Sequence, residues 1–373
     1  MNFAFSAEEE GFRREVVEFL ADWRELDGFF FQGRRWPEVK RFFQALGRRG
    51  WLALAWPARH GGLARDPVCE FLLWDEVAWA RAARAPLSAG VVAKTLLRHG
   101  TAEQQARWLP GIRAGDVHFS LGYSEPEAGS DLASVRTRAQ RSGDVYVVHG
   151  EKCWTSYAQD SDLLWCLCRT GSPESRGEGL SLLIVDLHAP GVTLRPLPTL
   201  DDEQLNAIAL DGVEVPLRDR VGPEHGAWKM MAEALADERH VQFPPKRLHR
   251  DLADLVAFVR GAGLAGDPVV RHTLADLAVD VLESEMHALR VLDALRCGRS
   301  GAVEAAANKV THTLVCQRIA RAALDLGGPE ALVRGTRVEF LWRQSLWETI
   351  GGGTSEVMRG VVARQGLGLG GRR

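Results

Sequence analysis

The chain has no cysteine pattern that could form a framework. Its six cysteines, Cys69, Cys153, Cys166, Cys168, Cys297 and Cys316, include no C-x-x-C pair and are scattered through apolar surroundings. That spacing argues against a disulfide scaffold or a zinc site, so no metal is expected, and it suits a reducing compartment. Cys166 and Cys168 would share one face of a strand, a packing position. No apolar run approaches the roughly 18 residues that a membrane span needs. The N-terminus is acidic at Glu8, Glu9 and Glu10 and lacks the apolar core of a signal peptide, so a soluble cytoplasmic protein is expected. The formal net charge is only −3, with both signs interspersed. Such a surface offers no field for nucleic acid or an anionic membrane. No internal repeat of roughly 20–50 residues is visible, which argues against a solenoid.

What the chain does have is a change of texture, twice. Its 373 residues allow roughly two to three domains. Residues 1–116 read as helical. Ser6-x-x-Glu9 and Thr101-x-x-Gln104 are capping boxes, the second opening a helix expected to stop near Pro110. Trp56–Leu63 reads as a loop, and Phe71–Arg84 as helix. Residues 117–222 carry short β-rich runs at Val145–His149, Leu163–Leu167, Leu180–Leu187 and Val192–Leu197. Asp211-Gly212, inside Ala207–Val215, reads as a hairpin turn. Residues 223–373 are helical again, around Leu252–Arg260, Val270–Arg296 and Ala302–Leu326. The fold class is therefore α+β, with helical, β and helical domains in that order. Gly261–Gly266 satisfies G-x-G-x-x-G, but it follows a helical segment and runs into Asp267-Pro268. A dinucleotide fingerprint needs a strand before it, so this is a loop between helices.

Three pieces carry chemistry. Tyr123-Ser124-Glu125-Pro126-Glu127-Ala128-Gly129-Ser130-Asp131 is a small-residue turn whose amides can face a polar ligand, with Gly129 allowing close approach. Gly150–Ser156 sets Trp154 among hydroxyls, which suits a flat ring stacked on its face and bonded at its edge. Thr349–Arg359 leads three glycines into Thr354 and a helix start. A solvated turn, a core tryptophan and an interhelical linker are the plain alternatives.

Together and in this order the pieces resemble the acyl-CoA dehydrogenase family over nearly the whole chain. The resemblance also takes in Gly61-Gly62-Leu63, Gly100-Thr101, Leu109-Pro110, Val213–Pro216, Glu238-Arg239 and Gly327-Gly328. It implies an N-terminal helical domain, a middle β-barrel-like or sandwich domain and a C-terminal four-helix bundle. It also implies FAD held between the β and C-terminal domains. A carboxylate would remove the α-proton of an acyl-CoA thioester while the β-hydrogen leaves to the flavin, giving a trans-2-enoyl thioester. Positions matching cofactor contacts are Ser124, Ser130, Trp154, Ser156, Gly327, Gly328 and Thr354, with Arg239 toward substrate. An electron-transfer flavoprotein or similar acceptor and a homo- or hetero-oligomer, dimer or tetramer, are the implied partners.

The departures from the family are as informative. The familiar place for the base, just before the Gly-Thr, is Gly352, which has no side chain to act with. Members that handle branched chains carry the base on the first helix of the C-terminal domain, matched here by Glu238. At helical spacing Trp228, Met231, Leu235 and Glu238 fall on one face, where a carboxyl would be desolvated and its basicity raised. A structural Glu238–Arg239 pair is the alternative. Gly352 keeps its backbone donor for the thioester oxygen and leaves room for a bulky acyl group. The segment that would hold the adenosine half lacks its Phe within Arg260–Asp267, and Leu324 stands where a Gln is usual. A related partner chain could complete that site. A non-catalytic subunit of a hetero-oligomer, or a relative acting on a nitroalkane or a carrier-protein thioester, are the competing readings.

Overall fold

The computed structural model describes residues 4–24, 26–27 and 35–370, apart from the side chains of residues 235–239 and 330. It divides into two compact units, one of residues 1–24, 67–81 and 239–373, the other of residues 25–66 and 82–238. The helical, sheet and helical order is as expected from the sequence.

The second unit is built on a mixed sheet. Its strands are β1 (Phe119–Gly122), β2 (Arg138–Ser142), β3 (Val145–Ser156), β4 (Leu163–Arg169), β5 (Leu180–Asp186), β6 (Val192–Pro198), β7 (Gln204–Pro216) and β8 (Arg220–Val221). They run in the order β6-β7-β3-β2-β4-β5-β8, with β1 parallel to β4. A single pair, Arg138 with Arg169, joins β2 to β4. The sheet therefore folds into two halves, and residues such as Tyr146, Val148, Ile208 and Val213 from one half share a core with Leu164, Cys166, Leu183 and Val185 from the other. Each such buried aliphatic contributes roughly 1.5–3 kcal/mol. Cys166 and Cys168 lie side by side in this core, their sulfurs 3.5 Å apart, as the period-two spacing predicts.

Asp211-Gly212 is not a hairpin turn. The strand β7 runs straight through it, and its register on β3 slips there, from Val148 opposite Val213 to His149 opposite Asp211. Gly212 has φ +68° and absorbs the extra residue as a β-bulge. The helix from Thr101 likewise passes Pro110 and ends at Ala114, because Leu109 and Ile112 are buried on either side of it. Its capping residue Gln104 also donates to the carbonyls of Arg218 and Arg220, at 2.7 and 2.8 Å, tying the helix to β8.

The first unit is helical. Numbered along the whole chain, its helices are α1 (Ala7–Phe19), α3 (Pro67–Ala80), α7 (Pro245–Gly261), α8 (Pro268–Arg296), α9 (Ala302–Gly327), α10 (Arg337–Glu348) and α11 (Ser355–Val361). The other unit holds α2 (Trp36–Arg48), α4 (Ala93–His99) and α5 (Ala102–Ala114), and α6 (Ala227–Gln242) runs across the boundary. Leu248, Leu255, Val281, Val315 and Ile319 form the core of the bundle, with Val338 of α10 packed against it. Gly261–Gly266 is the α7–α8 connection, and Asp267 caps α8 by accepting from the amides of Val269 and Val270. Among the described residues no helix is long and apolar enough to cross a membrane, and no cluster of metal-ligating side chains is present.

Candidate active site

In the sheet unit the loop and the strand singled out from the sequence are joined into one feature. Beyond β1 the chain reverses tightly, with Glu125 and Ala128 exchanging backbone hydrogen bonds of 3.0 and 3.1 Å. The Glu125 carboxylate points inward. It accepts from the amides of Arg136 and Thr137, at 2.6 and 2.8 Å, and from the Lys152 ammonium at 2.7 Å. Lys152 lies on β3 and is fully buried; it also donates to the Tyr123 carbonyl at 3.3 Å. One residue on, the Cys153 amide donates to the Ser124 carbonyl at 3.0 Å. Burial pushes the Glu125 carboxyl up, but the Lys152 charge and the bonds from Lys152, Thr137 and Arg136 outweigh it and hold it below the ordinary carboxylate range. Sequence reasoning singled out neither Glu125 nor Lys152 for a role. The available signal was an unmatched acid in one site segment and an unmatched base in the other.

Trp154 follows at once. Between Lys152 and Thr155 the strand bulges against β7, where Lys152 pairs with Ile208 and Thr155 with Asn206. The extra residue places Trp154 at φ +60°, a left-handed conformation that costs a bulky residue roughly 1–2 kcal/mol. The residue is 61% exposed, so it is not a core tryptophan. Ser124 and Ser156 are half-buried and Ser130 is exposed. The Thr155 hydroxyl is buried without a hydrogen-bond partner among the described residues. A side chain on Gly129 would meet nothing within 4 Å, so the loop offers an open backbone face. A held-open indole beside hydroxyls and an uncovered turn suits a flat, polar-edged ring.

The helical unit contains the glycine-rich pieces. Gly352 and Gly353 have φ +68° and +91°, and Thr354 caps α11 by accepting from the Val357 amide at 3.2 Å. The Thr349 carbonyl anchors the turn, taking the Ser355 amide at 2.9 Å and the buried Lys309 ammonium at 3.0 Å. A Cβ at Gly352 would meet nothing within 4 Å, so the position is open. Gly327, by contrast, is set by packing, since a Cβ there would lie 2.4 Å from that of Ala331. Gly328 follows with φ +58° and open space around it.

Glu238 and Arg239 belong to α6, but their side chains lie outside the described residues. The apolar face expected over Trp228, Met231, Leu235 and Glu238 does not include Trp228. Met231 is buried, whereas Trp228 is 46% exposed; among the described residues α6 also buries Ala227, Met230, Ala234, His240 and Val241. Beyond Arg239 the end of the helix is pinned. His240 is buried 3.2 Å from Glu70 of α3, and the Lys246 amide donates to Asp75 at 2.8 Å. Burial raises the Asp75 carboxyl to about 7. Arg247 lies between Glu348, at 2.6 Å, and Gln344, at 3.2 Å.

Comparison with known proteins covers the whole chain. Residues 6–116, 120–213 and 228–367 match the N-terminal, middle and C-terminal domains of the acyl-CoA dehydrogenases, respectively. Acyl-CoA dehydrogenase FadE26 of Mycobacterium tuberculosis is 34% identical over 402 aligned positions, covering 99% of each chain. Among solved structures, the Tcur3481-Tcur3483 steroid ACAD superposes with a TM-score of 0.91 at 30% identity, covering 100% of both chains. The ChsE4-ChsE5 complex of Mycobacterium tuberculosis gives a TM-score of 0.89 at 32% identity, again with 100% coverage of both.

Proposed function

Because this chain belongs to the acyl-CoA dehydrogenase family, a flavin-dependent class, we propose that it removes the α-proton of a bulky acyl-CoA with Glu238 and yields the trans-2-enoyl thioester. The observation that carries the flavin reading is Trp154, held exposed in a costly backbone conformation beside Ser124 and Ser156. FAD supplies the hydride acceptor for the β-hydrogen. The chain's own residues do the rest. In the sheet unit Trp154 would stack on the flat ring, with Ser124, Ser130 and Ser156 for its polar edges; in the helical unit Thr354, Gly327 and Gly328 are the positions that match the family's cofactor contacts. Arg239 is the position that the resemblance assigns to the substrate.

Two features support Glu238 as the base. Gly352 leaves the other family position without a side chain. Glu238 also lies on α6, the first helix of the C-terminal domain, where family members that handle branched chains carry the base. The amide of Gly352 remains as a donor to the thioester oxygen, which acidifies the α-carbon. Open space at Gly352 favours a wide acyl group, and a relative named as a steroid enzyme supports a fused-ring substituent. The same relatives are named as pairs of chains. We take the partner here to be a related chain that completes the adenosine end of the FAD site, with electrons passing to an electron-transfer flavoprotein. We place the domain boundaries at 1–116, 117–222 and 223–373.

The test is anaerobic addition of acyl-CoAs of different width to the protein co-expressed with a related candidate partner chain. Bleaching of the flavin by a bulky thioester is expected. Glu238→Gln should slow that bleaching about a hundredfold to ten-thousandfold with FAD still bound; undiminished turnover would remove Glu238 from the mechanism.

A further inference from the structure

The two flavin-facing segments of the sheet unit are distant in sequence, and one buried ion pair joins them. Glu125 takes three charge-assisted or backbone hydrogen bonds, to Lys152, Arg136 and Thr137. Lys152 spans the same seam from the other side, reaching both Glu125 and the Tyr123 carbonyl. Lys152 precedes Trp154 by two residues, and Glu125 directly follows Ser124. The Lys152 side chain is 0% exposed and that of Glu125 7%, so neither charge can be answered by solvent if the other is lost.

We infer that Glu125 and Lys152 are positioning residues, whose pair fixes the spacing between the Ser124 loop and the Trp154 ring before any cofactor arrives. This rests on the flavin reading above. The reason is the strained bulge at Trp154. Left-handed tryptophan persists only where its surroundings over-determine it, and the residue two before it is held by a buried ammonium bonded to Glu125 and to the Tyr123 carbonyl. Binding a rigid ring then costs little ordering on the protein side.

A second buried cation supplies the control. Arg169, on β4, donates to the carbonyls of Ala133 and Val135 and to that of Arg176, at 2.7, 3.0 and 2.7 Å. It braces the far part of the loop, with no hydrogen bond to Ser124 or to the β3 bulge and only a longer-range attraction to Glu125. Removing it should lower stability as removal of Lys152 does, without loosening the Ser124–Trp154 seam.

The experiment compares Glu125→Gln with Arg169→Met in the assembled protein. FAD dissociation constants and visible flavin circular dichroism are read together with amide exchange at residues 123–131 and 152–156 of the flavin-free protein. Glu125→Gln should weaken FAD binding tenfold or more, change the dichroism and speed exchange in both segments. Arg169→Met should leave all three near wild type. Equal weakening by both variants, or unchanged binding in Glu125→Gln, would overturn the inference. If Glu125→Gln does not fold, Lys152→Gln is read the same way. Wild-type protein that takes up no FAD would sink the flavin reading, and the exchange comparison would still decide whether the pair fixes the seam.

Discussion

The sheet unit and the helical unit both bury matched charges, such as Glu125 with Lys152 in one and Arg247 with Glu348 in the other, but they differ in what else they bury. Around the Ser124 loop the buried charges shown here are matched, Glu125 with Lys152 and two amides, and Arg169 with backbone carbonyls. In the helical unit, one turn of α9 buries Asn308 and His312 completely, with neither amide atom of Asn308 and neither ring nitrogen of His312 partnered among the described residues. His312 instead lies against the Phe243 ring, 5.6 Å between centroids, and desolvation drives its pKa far down, so it stays neutral. Around the Ser124 loop the leftover buried groups are single hydroxyls, such as Thr137 and Thr155, while the charges specify the geometry. The helical unit tolerates polar groups that its own folding does not use.

This contrast can be broken by removing one buried polar group from each. Lys152→Met leaves Glu125 buried with its cation gone and should cost about 3–5 kcal/mol in denaturant unfolding. Asn308→Leu is close to isosteric and removes two unpartnered atoms, so stability should hold or rise by about 1 kcal/mol. A large loss at Asn308 would mean that an ordered water or ligand occupies that turn.

The acids sharpen the contrast through pH. Glu125 is depressed, so its stabilisation is present above its unfolded value and lost as pH falls through the lower folded one. Asp75 is raised from 3.8 to about 7, so its contribution is full below 3.8 and lost as pH rises through about 7. Asp75→Asn keeps the acceptor for the Lys246 amide. It should raise the melting temperature at about pH 8, equivalent to about 2 kcal/mol, with less effect at about pH 5. The smallest effect belongs to the surface pair of Asp131 and Arg176, both more than half exposed. Asp131→Asn should shift stability by less than about 0.5 kcal/mol.

Much of this was legible in the sequence, for definite reasons. Capping boxes at Ser6 and Thr101 are local chemistry, and both form as written. Strand and helix periods gave the order of the elements. The errors at Asp211-Gly212, Pro110 and Trp228 share a cause. Local signals for a turn, a stop and an apolar face each yielded to what the neighbouring strand or core required. The Glu125–Lys152 pair was hidden because its partners are 27 residues apart and nothing local to either names the other. For Trp154, the choice between core and ligand depended on a backbone angle that no composition reveals.

The central claim is that this chain uses a carboxylate on α6, with a flavin held at the sheet unit, to desaturate an acyl-CoA. The most direct measurement is the visible flavin band of the anaerobic protein, wild type and Glu238→Gln side by side, after adding a fused-ring acyl-CoA. The account predicts rapid bleaching in the wild type and a persistent band in the variant at equal FAD content. A wild-type band that survives every thioester, or a variant that bleaches as fast, would contradict it.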